Sequence, residues 1–117
     1  MIIGIGIDII ELDRIRKSMK NSRFIDRILT MKEKQSFTLL QSETRKVEFV
    51  AGRFAAKEAF AKAMGTGIGS LSFLDISILN DENGAPFIEA AVKEKMNIFV
   101  SITHSREYAV AQVVLEI

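Results

Sequence analysis

The chain has 117 residues, 48% of them hydrophobic and 26% charged, with a formal net charge of +1 and no cysteine. That is enough apolar material for the core of one domain. The absence of cysteine excludes a disulfide-built fold and suits a reducing, cytoplasmic setting, and the near-zero net charge argues against a general nucleic-acid binder, which carries a marked basic excess.

In chain order, Ile2–Ile7 reads as a strand inside the apolar run Met1-Ile-Ile-Gly-Ile-Gly-Ile-Asp-Ile-Ile10. This run has no basic residues before it and no small-residue cleavage site, so a signal peptide is not expected. Glu11–Met19 reads as a short helix, with Leu12, Ile15 and Met19 on one face, and Phe24–Leu29 as a second. Thr30 with Glu33 makes a capping box that opens a helix over Met31–Leu40. The spacing then predicts a long central helix over Arg45–Met64, stopped at Gly65. Ala63–Leu74, the longest uncharged stretch, is interrupted by three glycines and is well short of the roughly 20 residues of a membrane span. Asp75–Asn80, a tight turn at Asn83-Gly84, and Pro86–Ala90 read as a hairpin. Ile98–Thr103 and Ala109–Leu115 form a last antiparallel pair across Ser105–Tyr108. The grouping predicts a single α+β domain, an antiparallel sheet packed against a long central helix.

The chemistry concentrates in the stretch Gly52-Arg-Phe-Ala-Ala-Lys-Glu-Ala-Phe-Ala-Lys-Ala-Met-Gly-Thr-Gly67, which plants charges in an otherwise apolar helix. Glu58 and Lys62 fall on one side of it, roughly 40° apart, with Ala51 and Ala55 as their nearest small neighbours, a pattern that draws the floor of a shallow site. The plainer reading is an i, i+4 ion pair on a wet face. Asp8, in a strand read as buried, has to be paired, protonated or bound to metal. Ser101-Ile-Thr-His104 ends a strand with hydroxyls and the only histidine of the chain. Gly65-Thr-Gly-Ile-Gly69 follows a helix and so lacks the strand–turn–helix context of a dinucleotide fingerprint; it is either a C-cap with a turn or a backbone nest for phosphate. Gly4 and Gly6 fit close helix packing, and Lys57 reads as a surface or interface charge.

Three ordered motifs carry a resemblance that spans essentially the whole chain. They are Gly4-Ile-Gly-Ile-Asp-Ile9 followed by Glu11 and Arg14; Arg53-Phe-Ala-Ala-Lys-Glu-Ala59 followed by Lys62 and Gly65-Thr-Gly67; and Ser101-Ile-Thr-His104 followed by Ala109-Val-Ala111. Together they resemble the holo-(acyl-carrier-protein) synthases, the small phosphopantetheinyl transferases. The resemblance implies the fold of that family and transfer of 4′-phosphopantetheine from coenzyme A to a serine of an apo acyl carrier protein, with release of 3′,5′-ADP, in fatty acid biosynthesis. It also implies a homotrimer with active sites between subunits.

In that frame Asp8 and Glu58 are the expected Mg²⁺ ligands, since Mg²⁺ needs only one or two carboxylates beside substrate phosphate and water. Either Glu58 or a metal-bound water that it holds takes the serine proton, and Lys62 stabilises pyrophosphate charge. Arg45, Arg53 and His104, with Lys46 as a further candidate, are expected to cradle coenzyme A together with Lys62, Gly65 and Thr66. Arg14, Arg16, Lys17, Lys20, Arg23 and Arg27 cluster within fourteen residues and would steer an acidic carrier protein, with Arg14, Arg23 and Met19 as the expected contacts. Two readings from other classes are a non-catalytic coenzyme A module and a Mg²⁺-dependent phosphatase. No nucleic acid and no membrane are expected as partners.

Overall fold

The computed structural model describes residues 1–67 and 71–117. Five strands, four α-helices and one 3₁₀ turn follow in the order β1 (Ile2–Glu11), α1 (Leu12–Ser18), α2 (Ser22–Ile28), α3 (Met31–Thr38), α4 (Glu43–Met64), the turn Phe73–Asp75, β2 (Ile76–Asn80), β3 (Pro86–Ala90), β4 (Asn97–His104) and β5 (Tyr108–Glu116). β1, β5 and β4 form an antiparallel sheet in that order, and β2 pairs with β3 in a separate hairpin. The α+β class and the sheet-on-helix arrangement are as the sequence predicts.

Alternation along the sheet decides which residues meet α4. On β1, Gly6 and Ile10 are buried, while Ile5, Ile7 and Ile9 are 61%, 58% and 61% exposed. On β5, Ala109, Ala111, Val113 and Leu115 are buried in the core that α4 fills. The two glycines of β1 are there because the helix backbone is. A Cβ on Gly4 would lie 2.1 Å from the carbonyl oxygen of Ala63, and one on Gly6 would lie 1.9 Å from that of Ala59.

β1 runs to Glu11 rather than Ile7, because Asp8 to Glu11 pair in register with Ala111 to Tyr108. It is an edge strand with one exposed face, not the buried strand read from its run of isoleucines, so Asp8 is half-buried on the helix side. The β2–β3 connection is also longer than a two-residue turn. Asn80 pairs with Pro86, and Asp81 Oδ1 accepts from the backbone N–H of Asn83 at 2.8 Å and of Ala85 at 3.0 Å. An aspartate that captures its own downstream amides builds the wider loop, with Gly84 at φ 83°.

α4 starts at Glu43 because Ser42 caps it, its side chain accepting from the Arg45 N–H. It ends where Gly65 takes φ 77°. Over 22 residues, about 33 Å at 1.5 Å per residue, it is buried on most sides, which explains why its apolar pattern has no single face.

Lys57 corrects the sequence reading. It is fully buried, and its ammonium donates to Glu33 Oε1 at 2.6 Å, to the Ile28 carbonyl at 2.6 Å and to the Phe73 carbonyl at 3.0 Å. Glu33, also fully buried, accepts in addition from the N–H groups of Thr30 and Ile78, each at 2.8 Å. Burial pulls the lysine downward and Glu33 opposes it; three acceptors filling its three donors keep it an ammonium. The pair ties α2, α3, the 3₁₀ turn and β2 to the central helix.

Candidate active site

Two clusters of predicted site residues lie on different sides of α4. The first joins the helix to β1. Lys62 Nζ donates to the Ile7 carbonyl at 2.9 Å, at the open edge of the sheet, and to Asp8 Oδ1 at 3.2 Å. Glu58 sits one turn back and half-buried. Burial, then the Asp8 carboxylate, hold Glu58 above the ordinary carboxylate value, while Lys62 and Arg14 pull the other way. The sequence therefore brings Asp8, Glu58 and Lys62 together, but Lys62 pairs with Asp8 across the sheet edge instead of with Glu58 along the helix. Ala51 and Ala55 are fully buried, so they do not floor an accessible site. Beside the cluster, Ile7, Asp8, Ile9, Lys62 and Val110 line a shallow, largely apolar depression.

The second cluster lines a cleft of about 500 Å³ formed by Arg45, Glu48, Phe49, Gly52, Arg53, Asn80, Gly84, Ile102 and His104, among others. Arg53 is not a solvated charge. It is 8% exposed, lies with Cζ 3.9 Å from the Phe49 ring centroid, and donates from Nη2 to Asn80 Oδ1 at 2.7 Å. Its Nε has no hydrogen-bond partner among the described residues. Burial lowers the guanidinium, with the field of Glu33 opposing, but an arginine remains cationic. His104 Nε2 lies 3.3 Å from Glu48 Oε2 at the rim, and Lys46 leaves the cleft to stack 5.6 Å from the Phe37 ring centroid.

At 100° per residue, Arg53 and Lys62 project from opposite sides of the helix, and Arg45 and Lys62 are about 25 Å apart along it. One chain does not assemble the expected coenzyme A residues into one pocket. Gly65, Thr66 and Gly67 close the end of α4: their N–H groups are taken by the Ala61 carbonyl, with Gly65 also reaching that of Lys62. This is the C-cap reading, and it leaves these three amides no free donor for a phosphate nest. Gly69 lies outside the described residues.

On the docking arm, Arg14 is close enough to Glu58 to influence it, and Arg23 is exposed at the start of α2. Met19 is half-buried and packs against the core. Asp13 holds Arg16 at 3.3 Å and Lys17 at 3.1 Å, so part of the basic patch is neutralised; the hydrogen bond from Lys17 in turn lowers the Asp13 carboxyl. Glu48, Phe49 and Asn80 are cleft residues that the sequence did not single out. Phe49 stands four before Arg53, a legible helical contact, whereas Asn80 is brought in only by the hairpin.

The family described as the 4′-phosphopantetheinyl transferase superfamily matches residues 4–113. The chain belongs to that superfamily. A holo-(acyl-carrier-protein) synthase of Geobacillus sp. (strain WCH70) is 63% identical over 99% of this chain and 98% of its own. Among phosphopantetheinyl transferases of known structure, a holo-(acyl-carrier-protein) synthase from Bacillus anthracis str. Ames in complex with CoA (3′,5′-ADP) matches with a TM-score of 0.92 and 54% identity, covering 99% of this chain and 97% of the other. The Helicobacter pylori holo-(acyl-carrier-protein) synthase in complex with coenzyme A matches at a TM-score of 0.82 and 37% identity, over 96% and 99%. The family, its transferase class and the fold expected from the three motifs are thus borne out.

Proposed function

We propose that this protein transfers 4′-phosphopantetheine from coenzyme A to a serine of an apo acyl carrier protein, releasing 3′,5′-ADP, and that it serves fatty acid biosynthesis in the cytoplasm as a one-domain chain. The observation that carries the reading is the convergence of Asp8, Glu58 and Lys62 at one end of α4, in a chain 63% identical to a holo-(acyl-carrier-protein) synthase. A binding module would have no use for a carboxylate pair with an adjacent ammonium.

The two carboxylates fit Mg²⁺. Burial and the charge of Asp8 make ionised Glu58 costly, and a divalent ion shared by both groups removes that cost. When bound, Mg²⁺ draws charge from the phosphoryl oxygens of the substrate. The side chains do the rest. Glu58 accepts the proton of the serine hydroxyl as Oγ bonds to the β-phosphorus of coenzyme A; the bond from that phosphorus to the bridging oxygen breaks, and 3′,5′-ADP leaves with the electron pair. Lys62 spends two of its three donors on Ile7 and Asp8 and keeps one for the developing phosphoryl charge.

Coenzyme A is held by Arg45, Arg53 and His104 at its nucleotide end and by Lys62 and Thr66 near the pyrophosphate. Because these groups lie on opposite sides of α4, the reading requires a second copy to bring its cleft against the Asp8–Glu58–Lys62 cluster of the first. Supporting this, the cluster borders an apolar face on which Ile5, Ile7, Ile9 and Phe99 are each at least 55% exposed. Closed by threefold symmetry, such a contact gives the homotrimer. Arg14 and Arg23 then present the carrier serine from the docking arm.

The test is one reaction: protein, Mg²⁺, coenzyme A and apo carrier protein, with the carrier weighed by mass spectrometry and nucleotide quantified. One phosphopantetheine gained per 3′,5′-ADP released, and none with chelator, is the expected result. Unmodified carrier that nevertheless binds would mean a binding module, and phosphate release without carrier a phosphatase.

A further inference from the structure

Arg53 is a nearly buried cation without an ion-pair partner. Among the described residues no carboxylate oxygen lies within 4.0 Å of it, and Glu48, which lines the same cleft, faces His104. Its one side-chain hydrogen bond goes to a neutral group, the Oδ1 of Asn80 at 2.7 Å. The amide orientation of Asn80 is fixed from both ends, since Nδ2 donates to the Gly84 carbonyl at 3.0 Å. Reversed, it would aim an NH₂ at the guanidinium and an oxygen at the carbonyl. Asn80 is therefore a strut between the hairpin loop and the arginine. An aspartate there would hold Arg53 as well or better, and would also neutralise it. A buried, unneutralised guanidinium is costly unless an anion completes it, and Arg53, whose Nε is buried without a partner among the described residues, lines the cleft.

We propose that Asn80 is a specificity-determining residue: its neutral carboxamide positions Arg53 while leaving the arginine charge free for a terminal phosphate monoester, so that the cleft selects a 3′-phosphorylated nucleotide over the same nucleotide with a free 3′-hydroxyl. This rests on the coenzyme A reading of the cleft. A phosphate dianion at the cleft wall that Arg53 lines supplies the missing charge. A hydroxyl does not.

The test measures binding of 3′,5′-ADP and of 5′-AMP by calorimetry to the intact protein and to Arg53→Ala, Asn80→Asp and Asn80→Ala. Native protein is expected to prefer 3′,5′-ADP by roughly 10 to 100-fold, the size of one or two charge-assisted hydrogen bonds. Arg53→Ala should abolish that preference. Asn80→Asp should cut it about tenfold or more while leaving 5′-AMP binding within about twofold, because the aspartate occupies the guanidinium charge. Its melting temperature should stay at or above that of the native protein. Asn80→Ala, which removes the strut without adding charge, should lose part of the preference and gives the same ratio should Asn80→Asp not fold. A residue that only holds the hairpin would weaken both nucleotides equally, so equal losses overturn the proposal. An Asn80→Asp variant that keeps the native preference while Arg53→Ala has lost it also overturns the role of Asn80. If Arg53→Ala keeps the preference too, the coenzyme A reading of the cleft falls with it.

Discussion

Glu58 is a carboxylate whose surroundings favour its protonated form, through burial first and Asp8 second, against Lys62 and Arg14. Protonated, it is a poor metal ligand, so the affinity of the metal-free protein for Mg²⁺ measured against pH should fall on the acid side through a value above the usual 4.5. Arg14→Ala removes one lowering influence and should move that limb to higher pH; an unmoved limb would detach Arg14 from the site. A raised carboxyl contributes stability that is fully present below its unfolded value and lost as pH rises through its folded value. Glu58→Gln should therefore melt higher than the native protein at neutral pH, show no advantage below 4.5, and have no transferase activity. Asp8→Asn should also abolish transfer, at a stability cost of about 1 kcal/mol or less, because its partner Lys62 is half-exposed. Near-native turnover of either variant at saturating Mg²⁺ would remove that residue from the ligand set.

At the scale of elements, α4 is held in position by a charge on one side and by the absence of side chains on the other. Lys57→Met leaves Glu33 buried without its cation and should cost about 3 to 5 kcal/mol in urea unfolding. Adding Glu33→Gln should recover part of that loss, since it removes the uncompensated charge while its single carbonyl oxygen still accepts from one of the two backbone N–H groups, of Thr30 or of Ile78. A double variant no better than Lys57→Met would show that the pair matters for packing alone. Gly6→Ala would set a methyl 1.9 Å from the Ala59 carbonyl oxygen, forcing β1 off the helix at a cost of about 1 to 3 kcal/mol. Since β1 also carries Asp8 two residues on, transferase activity should drop further than the loss of folded protein explains. Gly52→Ala is the contrasting case: its added methyl meets only the Ile102 side chain, at 3.3 Å, and helix propensity favours alanine there.

For the whole molecule, the proposed function requires an assembly, because the two clusters face opposite ways and an isoleucine face is exposed beside one of them. Sedimentation should give a trimer. Ile5→Lys together with Ile9→Lys should yield monomers that keep the far-ultraviolet circular dichroism of the native protein, because neither side chain packs in the chain's own core, but lose transferase activity as the nucleotide cleft and the catalytic cluster part. A fully active monomer at assay concentrations would overturn the shared site. Among the described residues no helix is long and apolar enough to cross a membrane.

What the sequence determined by itself was local or periodic. The capping box at Thr30 and Glu33, the stop of α4 at Gly65 and the one-turn spacing of Glu58 and Lys62 depend on residues within a few positions of one another, and each is found as read. The close packing at Gly4 and Gly6 was legible because only a backbone pressed against a strand requires two glycines there. Tertiary structure decided the rest. Lys57 and Glu58 are neighbours in sequence, yet 100° of helix rotation sends one into the core against Glu33 and the other to the surface beside Asp8. Nothing near Lys57 in the chain announces a partner 24 positions away. Arg53 became a cleft residue only when the hairpin delivered Asn80, and Lys62 exchanged its helical partner for Asp8 because β1 lies at the sheet edge. Whether a charge is solvated, paired or left open for a ligand depends on what packs over it, and that is fixed by contacts across the fold.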